Sequence, residues 1–342
     1  MHRARVLALV ALLTTTLAAC AVPGADEKKG SPDPGERKMG PVRLAVVPKA
    51  VGFDFSEQLK KGAECAASRQ KDVDVSWDGV TTERDVSGQI SLLQNFITEG
   101  VDGIVYAATD VKALGEVTNA AQQKQIALVN MDSGTDPQPP EVPLFATDDV
   151  AGAEKVADVM AEQVRQGKVA LVSFDPGSQT DNERTQGFKT GLKDHPELEL
   201  VAEQSSASDY DKALSITEDI LSANPDLEGI FGSNESSALG AAAAVRRAGK
   251  AGEVTIIGWD AAPDELEALE EGTISALIAQ NPFSMGFQGV NAAVSSIRDG
   301  AQPKGKDTGT TVVTKENVGS ADVEAVLAPS CANPPTGQLS DR

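Results

Sequence analysis

Lys49, Asp132, Arg184, Asn234, Asp260 and Gln280 carry the chemistry that this sequence offers. They are two cations, two carboxylates and two carboxamides, with few nucleophiles. Phe53, Phe55, Tyr210 and Trp259 stand close to them along the chain, and Ser133 follows Asp132. Aromatic residues make up only 4% of the chain, so their placement beside these polar groups is a concentration. Flat aromatic faces suit the C–H faces of a saturated ring, and carboxylates and amides suit its hydroxyls. The planar fork of Arg184 can bridge carboxylates and a ring oxygen at once. Polar groups that converge between aromatic walls describe a small-molecule site. Each residue also has a plainer reading. Phe53 and Phe55 could be core, Asp132 could form a turn with Ser133 and Gly134, and Arg184 could be a solvated surface charge. Position favours the first reading, because these residues cluster just beyond predicted strands.

Those strands are short β-branched runs at 42–47, 73–77, 103–106, 126–130, 168–173, 199–203, 229–232, 255–258 and 275–279. Amphipathic patterns predict helices between and beyond them at 55–69, 85–99, 111–124, 150–166, 182–194, 211–223, 236–248, 263–270 and 283–299. Strand–helix alternation at this spacing predicts βαβ units and parallel sheets. Trp77 lies inside a strand and reads as structural. The order falls into two similar halves. The strand at 42–47 with its following helix is echoed by 168–173 with its own, and Gly100–Tyr106 is echoed by 224–231. The fold class is α/β, with two doubly wound parallel-sheet lobes. In such sheets ligands bind beyond the carboxyl ends of the strands. A cleft between two facing lobes gathers residues from many such ends.

The N-terminus sets the compartment. Arg3 and Arg5 precede an uncharged apolar stretch from Val6 that closes on Leu17-Ala18-Ala19-Cys20. This is the pattern of a bacterial lipoprotein signal peptide at 1–19. Cleavage before Cys20 and a lipid on its thiol would anchor the chain outside the cytoplasmic membrane. An ordinary secretory signal or a transmembrane anchor are the other readings, but spanning a bilayer takes ~20 apolar residues. Residues 20–41 are rich in Pro, Gly and charge and read as a flexible tether. The remaining length suits two domains. The formal net charge is −21, from 30 Lys and Arg against 51 Asp and Glu, which argues against nucleic acid as a partner. Cys65 and Cys331 remain after lipidation. In an exported protein they suggest one disulfide, with two buried thiols as the other reading. The only histidines are His2 and His195, and no Cys/His spacing suits a metal. No cofactor is expected.

With these residues in place, the chain resembles the type I periplasmic binding proteins of the ribose- and galactose-binding group, the receptors of ATP-binding-cassette (ABC) sugar importers. The resemblance runs from Val42 to about Val318. It is carried by Phe55-Ser56-Glu57-Gln58-Leu59-Lys60-Lys61-Gly62-Ala63, Gly100-Val101-Asp102-Gly103-Ile104-Val105, Glu183-Arg184-Thr185-Gln186-Gly187-Phe188, Ser236-Ser237-Ala238-Leu239-Gly240-Ala241 and Ile257-Gly258-Trp259-Asp260. It implies ring stacking by Phe55, Tyr210 and Trp259, and hydroxyl binding by Asp132, Arg184, Asn234, Asp260 and Gln280. Phe53 falls where ribose receptors carry Asn, Ser133 where they carry Arg, and Ser56 where they carry a second aromatic. Lys49 points to a subgroup for other sugars, polyols or signalling carbohydrates. No calcium loop of the galactose-receptor type is visible, so the resemblance implies no metal.

The resemblance further implies three crossings between lobes, near Thr147-Asp148, Gln280-Asn281 and Thr308–Thr311. The first lobe would comprise 42–147 and 281–309, the second 148–280 and 310–325, and residues 326–342 would form a tail. A monomer that closes on a sugar or polyol and docks on an ABC permease is the implied function. The alternative is a receptor that presents its closed form to a membrane kinase or chemoreceptor. A transcription regulator of the same fold is disfavoured by Cys20 and by the lack of an N-terminal helix-turn-helix. An enzyme is disfavoured because no nucleophile elbow, phosphate loop or dinucleotide turn stands where it is required. Asp132 and Asp260 could also serve as the paired carboxylates of a glycosidase, a reading that transport is expected to displace. Gly286-Phe287-Gln288-Gly289 falls inside a helix and reads as packing.

Overall fold

A computed structural model describes residues 40–332 together with Pro334. The signal peptide expected at 1–19, the lipidation expected at Cys20 and nearly all of the expected tether lie outside the described residues.

The first half alternates β1 (Val42–Val47), α1 (Asp54–Ser68), β2 (Val73–Trp77), α2 (Val86–Glu99), β3 (Gly103–Tyr106), α3 (Gly115–Gln123), β4 (Ala127–Met131) and β5 (Leu144–Ala146). The second half alternates α4 (Asp149–Val164), β6 (Gly167–Ser173), α5 (Gln179–Gly191), β7 (Leu198–Ser205), α6 (Tyr210–Ala223), β8 (Leu227–Gly232), α7 (Glu235–Arg247), β9 (Thr255–Trp259), α8 (Pro263–Glu271) and β10 (Ala276–Ala279). The chain ends with α9 (Pro282–Asp299), β11 (Lys306–Asp307), β12 (Thr311–Val313) and α10 (Ala321–Leu327).

Two sheets result, in the orders β11-β5-β4-β3-β1-β2 and β12-β10-β9-β8-β6-β7. Every pairing is parallel except β10 with β12. Both faces of each sheet are covered, so the strands are apolar throughout rather than alternating. In β1, Val42, Leu44 and Val46 face a cluster with Leu59 of α1 and Val290 of α9, while Ala45 and Val47 face a second cluster with Leu93 and Leu114. In the other sheet, Val172, Ile230 and Ile256 pack under α6 to α8, and Leu171, Phe231 and Ile257 pack under α4 and α5.

The chain passes between the sheets after β5, after β10 and between β11 and β12, which makes both lobes discontinuous. α9 returns to the first lobe and lies close against α1. A Cβ on Gly286 would stand 2.1 Å from the Leu59 carbonyl oxygen, and one on Gly62 would stand 2.0 Å from that of Phe283. Glycine is the only residue that permits this backbone approach.

Cys65 of α1 and Cys331 beyond α10 are joined as a disulfide, with Cα atoms 5.5 Å apart. Val323 of α10 is buried in the second lobe, so the bond links the lobes covalently outside the three crossings. The segment expected as a tail from residue 326 still belongs to α10 at its start, where Val326 and Leu327 pack on that core.

Candidate functional site

Because the strands of each lobe run in parallel, their carboxyl ends share one edge. The two edges enclose a cavity of about 630 Å³, counting the space open at its mouth. The first lobe contributes Lys49, Phe53, Phe55, Glu83 and Asp132, and the second contributes Phe174, Thr180, Arg184, Ser208, Asn234, Glu235 and Asp260. Gln280 lines it from a crossing segment.

Arg184 is the most fully built group. It sits on α5 and is 3% exposed. Its Nε donates to Asp149 Oδ1 at 2.7 Å and its Nη1 donates to the Ser233 carbonyl at 2.8 Å. The guanidinium carbon lies 4.3 Å from the Trp259 ring centroid and 5.5 Å from that of Phe174. A buried guanidinium is tolerated only with such matched partners. Burial pushes the Asp149 carboxyl up to about 7 against the opposing pull of Arg184. Asp181 accepts from the Phe174 N–H at 2.8 Å and from Ser233 Oγ at 3.3 Å, which fixes the turn that carries both.

The first lobe offers a shorter network. Lys49 Nζ pairs with Asp132 Oδ2 at 3.0 Å and donates to Thr180 Oγ1 of the second lobe at 2.8 Å. Ser56 Oγ donates to the Phe53 carbonyl at 2.8 Å and so holds the loop that presents Phe53. Asp132 and Asp260 both have positive φ, 63° and 89°. Side chains other than Gly adopt this region at a cost that surrounding structure must offset, and such residues gather at ligand clamps. Asp260 Oδ1 accepts from Gln280 Nε2 at 2.6 Å, and Gln280 Oε1 accepts from Thr147 Oγ1 at 2.8 Å. Burial raises Asp260 and Glu83 above the usual carboxylate range, and burial with neighbouring carboxylates raises Glu235 to about 7. The cavity therefore holds hydrogen-bond donors and acceptors of both signs and aromatic faces on each lobe.

A periplasmic binding protein domain matches residues 44–302. The chain belongs to the periplasmic binding protein family. This binding protein is 30% identical over 294 residues to the D-ribose/D-allose-binding protein of Pseudomonas aeruginosa, covering 84% of this chain and 89% of that one. It is 31% identical over 266 residues to the D-allose-binding periplasmic protein of Escherichia coli, covering 75% and 85%. An ABC transporter solute binding protein of Agrobacterium vitis, solved with bound D-fucose, superposes with a TM-score of 0.79 at 32% identity, covering 83% of this chain and 99% of that one.

Of the residues read from sequence, the binding protein brings Lys49, Phe53, Phe55, Asp132, Arg184, Asn234, Asp260 and Gln280 to the cavity. Three are placed elsewhere. Tyr210 opens α6 and is 43% exposed, outside the cavity lining, so it offers no ring face to a ligand there. Trp259 is fully buried and packs beneath Arg184 and beside Phe231, backing the site instead of facing it. Ser133 is fully buried, and its hydroxyl has no hydrogen-bond partner. Phe174 supplies the second lobe's aromatic wall in their stead. It directly follows β6, so the strand-end rule reaches it. Glu83, Thr180, Ser208, Glu235 and the supporting Asp149 carry no comparable signal, since each sits in a polar run that reads as loop or helix surface.

Proposed function

We propose that this chain captures a neutral sugar or polyol between its two lobes and delivers it to an ABC importer. The observation that carries the reading is the Arg184 assembly. A guanidinium is fixed by Asp149, Ser233 and Trp259 at the wall of a cavity where Asp132, Asn234, Asp260 and Gln280 converge. Such a fork bonds adjacent ring oxygens, while Phe53, Phe55 and Phe174 take the apolar faces of the ring. The sugars named for the relatives, ribose and allose, and for the solved structure, D-fucose, support this class. Lobe closure about the three crossing segments buries the ligand, and its differential affinity for the closed state drives that closure. The permease would read the closed form. A lipid on Cys20 and a tether over 20–41 would keep a monomer at the outer face of the membrane, without enzymatic turnover.

The test is a thermal-shift and calorimetric panel on the purified protein, with D-ribose, D-allose, D-arabinose, D-fucose and xylitol against amino acids and nucleosides. A ligand at 100 times its Kd adds about 2.7 kcal/mol of stability. A sugar or polyol hit supports the reading; a hit confined to amino acids or nucleosides replaces the substrate class.

A further inference from the structure

The loop from β2 to α2 belongs to the first lobe, and the turn from β7 to α6 belongs to the second. They meet at Glu83 and Ser208, where Ser208 Oγ donates to Glu83 Oε2 at 2.8 Å. The Ser208 hydroxyl is not free to turn elsewhere. It accepts from Asn234 Nδ2 at 3.2 Å, and the Asn234 Oδ1 accepts from the Ser237 N–H as the cap of α7. With its acceptor side occupied, the hydroxyl directs its single proton at Glu83. The turn is built to hold that aim. Ala207 and Ser208 have φ of 57° and 53°, two successive residues other than Gly in the left-handed region. Ser206 pins them, its N–H on the Ser173 carbonyl at 2.8 Å and its hydroxyl against Ser237 Oγ at 2.9 Å. Adjacent conformations of this kind persist only where surrounding contacts impose them, and they gather at clamps and switches.

The bond is also distinct in place. Three further hydrogen bonds between the lobes, from Val111 N–H, Gly134 N–H and Lys49 Nζ, all end on residues 177–180. Glu83–Ser208 reaches a different element of the second lobe and so adds a separate point of attachment. A carboxylate acceptor makes it stronger than a neutral bond. None of its atoms needs a ligand to complete it.

We propose that Glu83 and Ser208 form a latch that stabilises the closed arrangement of the lobes whether or not a sugar is bound. Glu83 is then a positioning residue: it raises apparent affinity by raising the closed fraction, since apparent Kd is the intrinsic Kd divided by the fraction of competent protein. The latch serves the capture cycle proposed above and rests on that reading for its role, though not for its geometry.

Small-angle scattering of the purified protein without sugar, paired with calorimetry against D-allose and D-ribose, tests it. Ser208→Ala and Glu83→Ala should each enlarge the radius of gyration of the sugar-free protein and weaken sugar binding several-fold. The double variant should be no worse than either single one, and Glu83→Gln, which keeps an acceptor oxygen but loses the charge, should fall between wild type and Glu83→Ala in its radius of gyration. Unchanged scattering in Ser208→Ala overturns the latch. So does a loss of affinity in Glu83→Ala that Ser208→Ala does not share, because Glu83 would then act on the sugar directly. If no sugar or polyol of the panel binds the wild type but Ser208→Ala still opens it, the latch stands and the capture reading falls.

Discussion

The two walls of the cavity hold their cations differently. Arg184, on the second lobe, finds Asp149, the Ser233 carbonyl, Trp259 and Phe174 all within its own lobe. Lys49, on the first lobe, finds Asp132 at home but completes its bonding on Thr180 across the cleft. The second wall is therefore formed before the lobes meet, and the first is finished by their meeting. A binding protein needs both properties. A rigid wall selects orientation without a reorganisation cost, and a wall completed on closure couples ligand to conformation.

The largest effect that tests this contrast is Arg184→Ala. It leaves Asp149 buried without its partner, and breaking a buried pair costs about 3–5 kcal/mol. Denaturant unfolding of the sugar-free protein should show that loss, and sugar binding should fall below detection in calorimetry. An unchanged unfolding midpoint would mean that Arg184 is not built into the lobe.

Lys49→Met should weaken binding and cost the sugar-free fold less than Arg184→Ala does, because Asp132 borders the cavity and meets water whenever the lobes part. A charge-assisted bond lost from the closed state is worth about 1.5–3 kcal/mol. Affinity should drop accordingly, with a smaller loss of melting temperature in the absence of sugar than Arg184→Ala shows. Equal losses in both measurements would erase the distinction between the walls.

pH acts more gently, and chiefly on the second lobe. Asp149, Asp181, Asp260 and Glu265 of the second lobe all titrate above the normal carboxylate range because burial penalises their charge. The native state then binds more protons than the unfolded chain from the ordinary carboxylate range up to about 7, the value for Asp149. Stability falls with rising pH where the native state holds the extra protons. The melting temperature should be higher at pH 5 than at pH 8, and the raised groups should contribute less once Asp149→Asn removes one of them. A flat or opposite profile would show that Arg184 keeps Asp149 ionised throughout.

The smallest effect is Tyr210→Ala. An exposed residue outside the cavity should change stability by no more than about 0.5 kcal/mol and leave sugar affinity within twofold by calorimetry. A large loss would restore Tyr210 to the site and displace Phe174 from its role.

Much of the fold is legible in the β-branched runs. Long, strongly patterned strands such as β1 and β6 fall where those runs stand. β5, β11 and β12 do not, because two- and three-residue strands are defined by the neighbour they pair with and not by their own pattern. The site was legible where a residue follows a strand closely, as Lys49, Asp132, Asp260 and Gln280 do. Trp259 shows the limit of that rule and also a signal that could have corrected it. It shares a strand face with Ile257 by the period of two, and Ile257 is core. Tyr210 fails for another reason. The left-handed turn at Ala207 and Ser208 sends Ser208 to the cavity and leaves Tyr210 at the outer start of a helix.

By itself the sequence determined the order of the longer strands and helices, the division into two similar lobes and the chemical character of the residues at the strand ends. Those are local properties, set by periodicity, β-branching and turn chemistry over a few residues. The tertiary structure alone decided which strand-end side chains reach the cavity and which lie behind it. It also decided that Glu83 meets Ser208, and it joined Cys65 to Cys331, the pairing the sequence suggested against two free thiols. Those pairings join segments 125 and 266 residues apart, and only the packing of two separate lobes sets such distances.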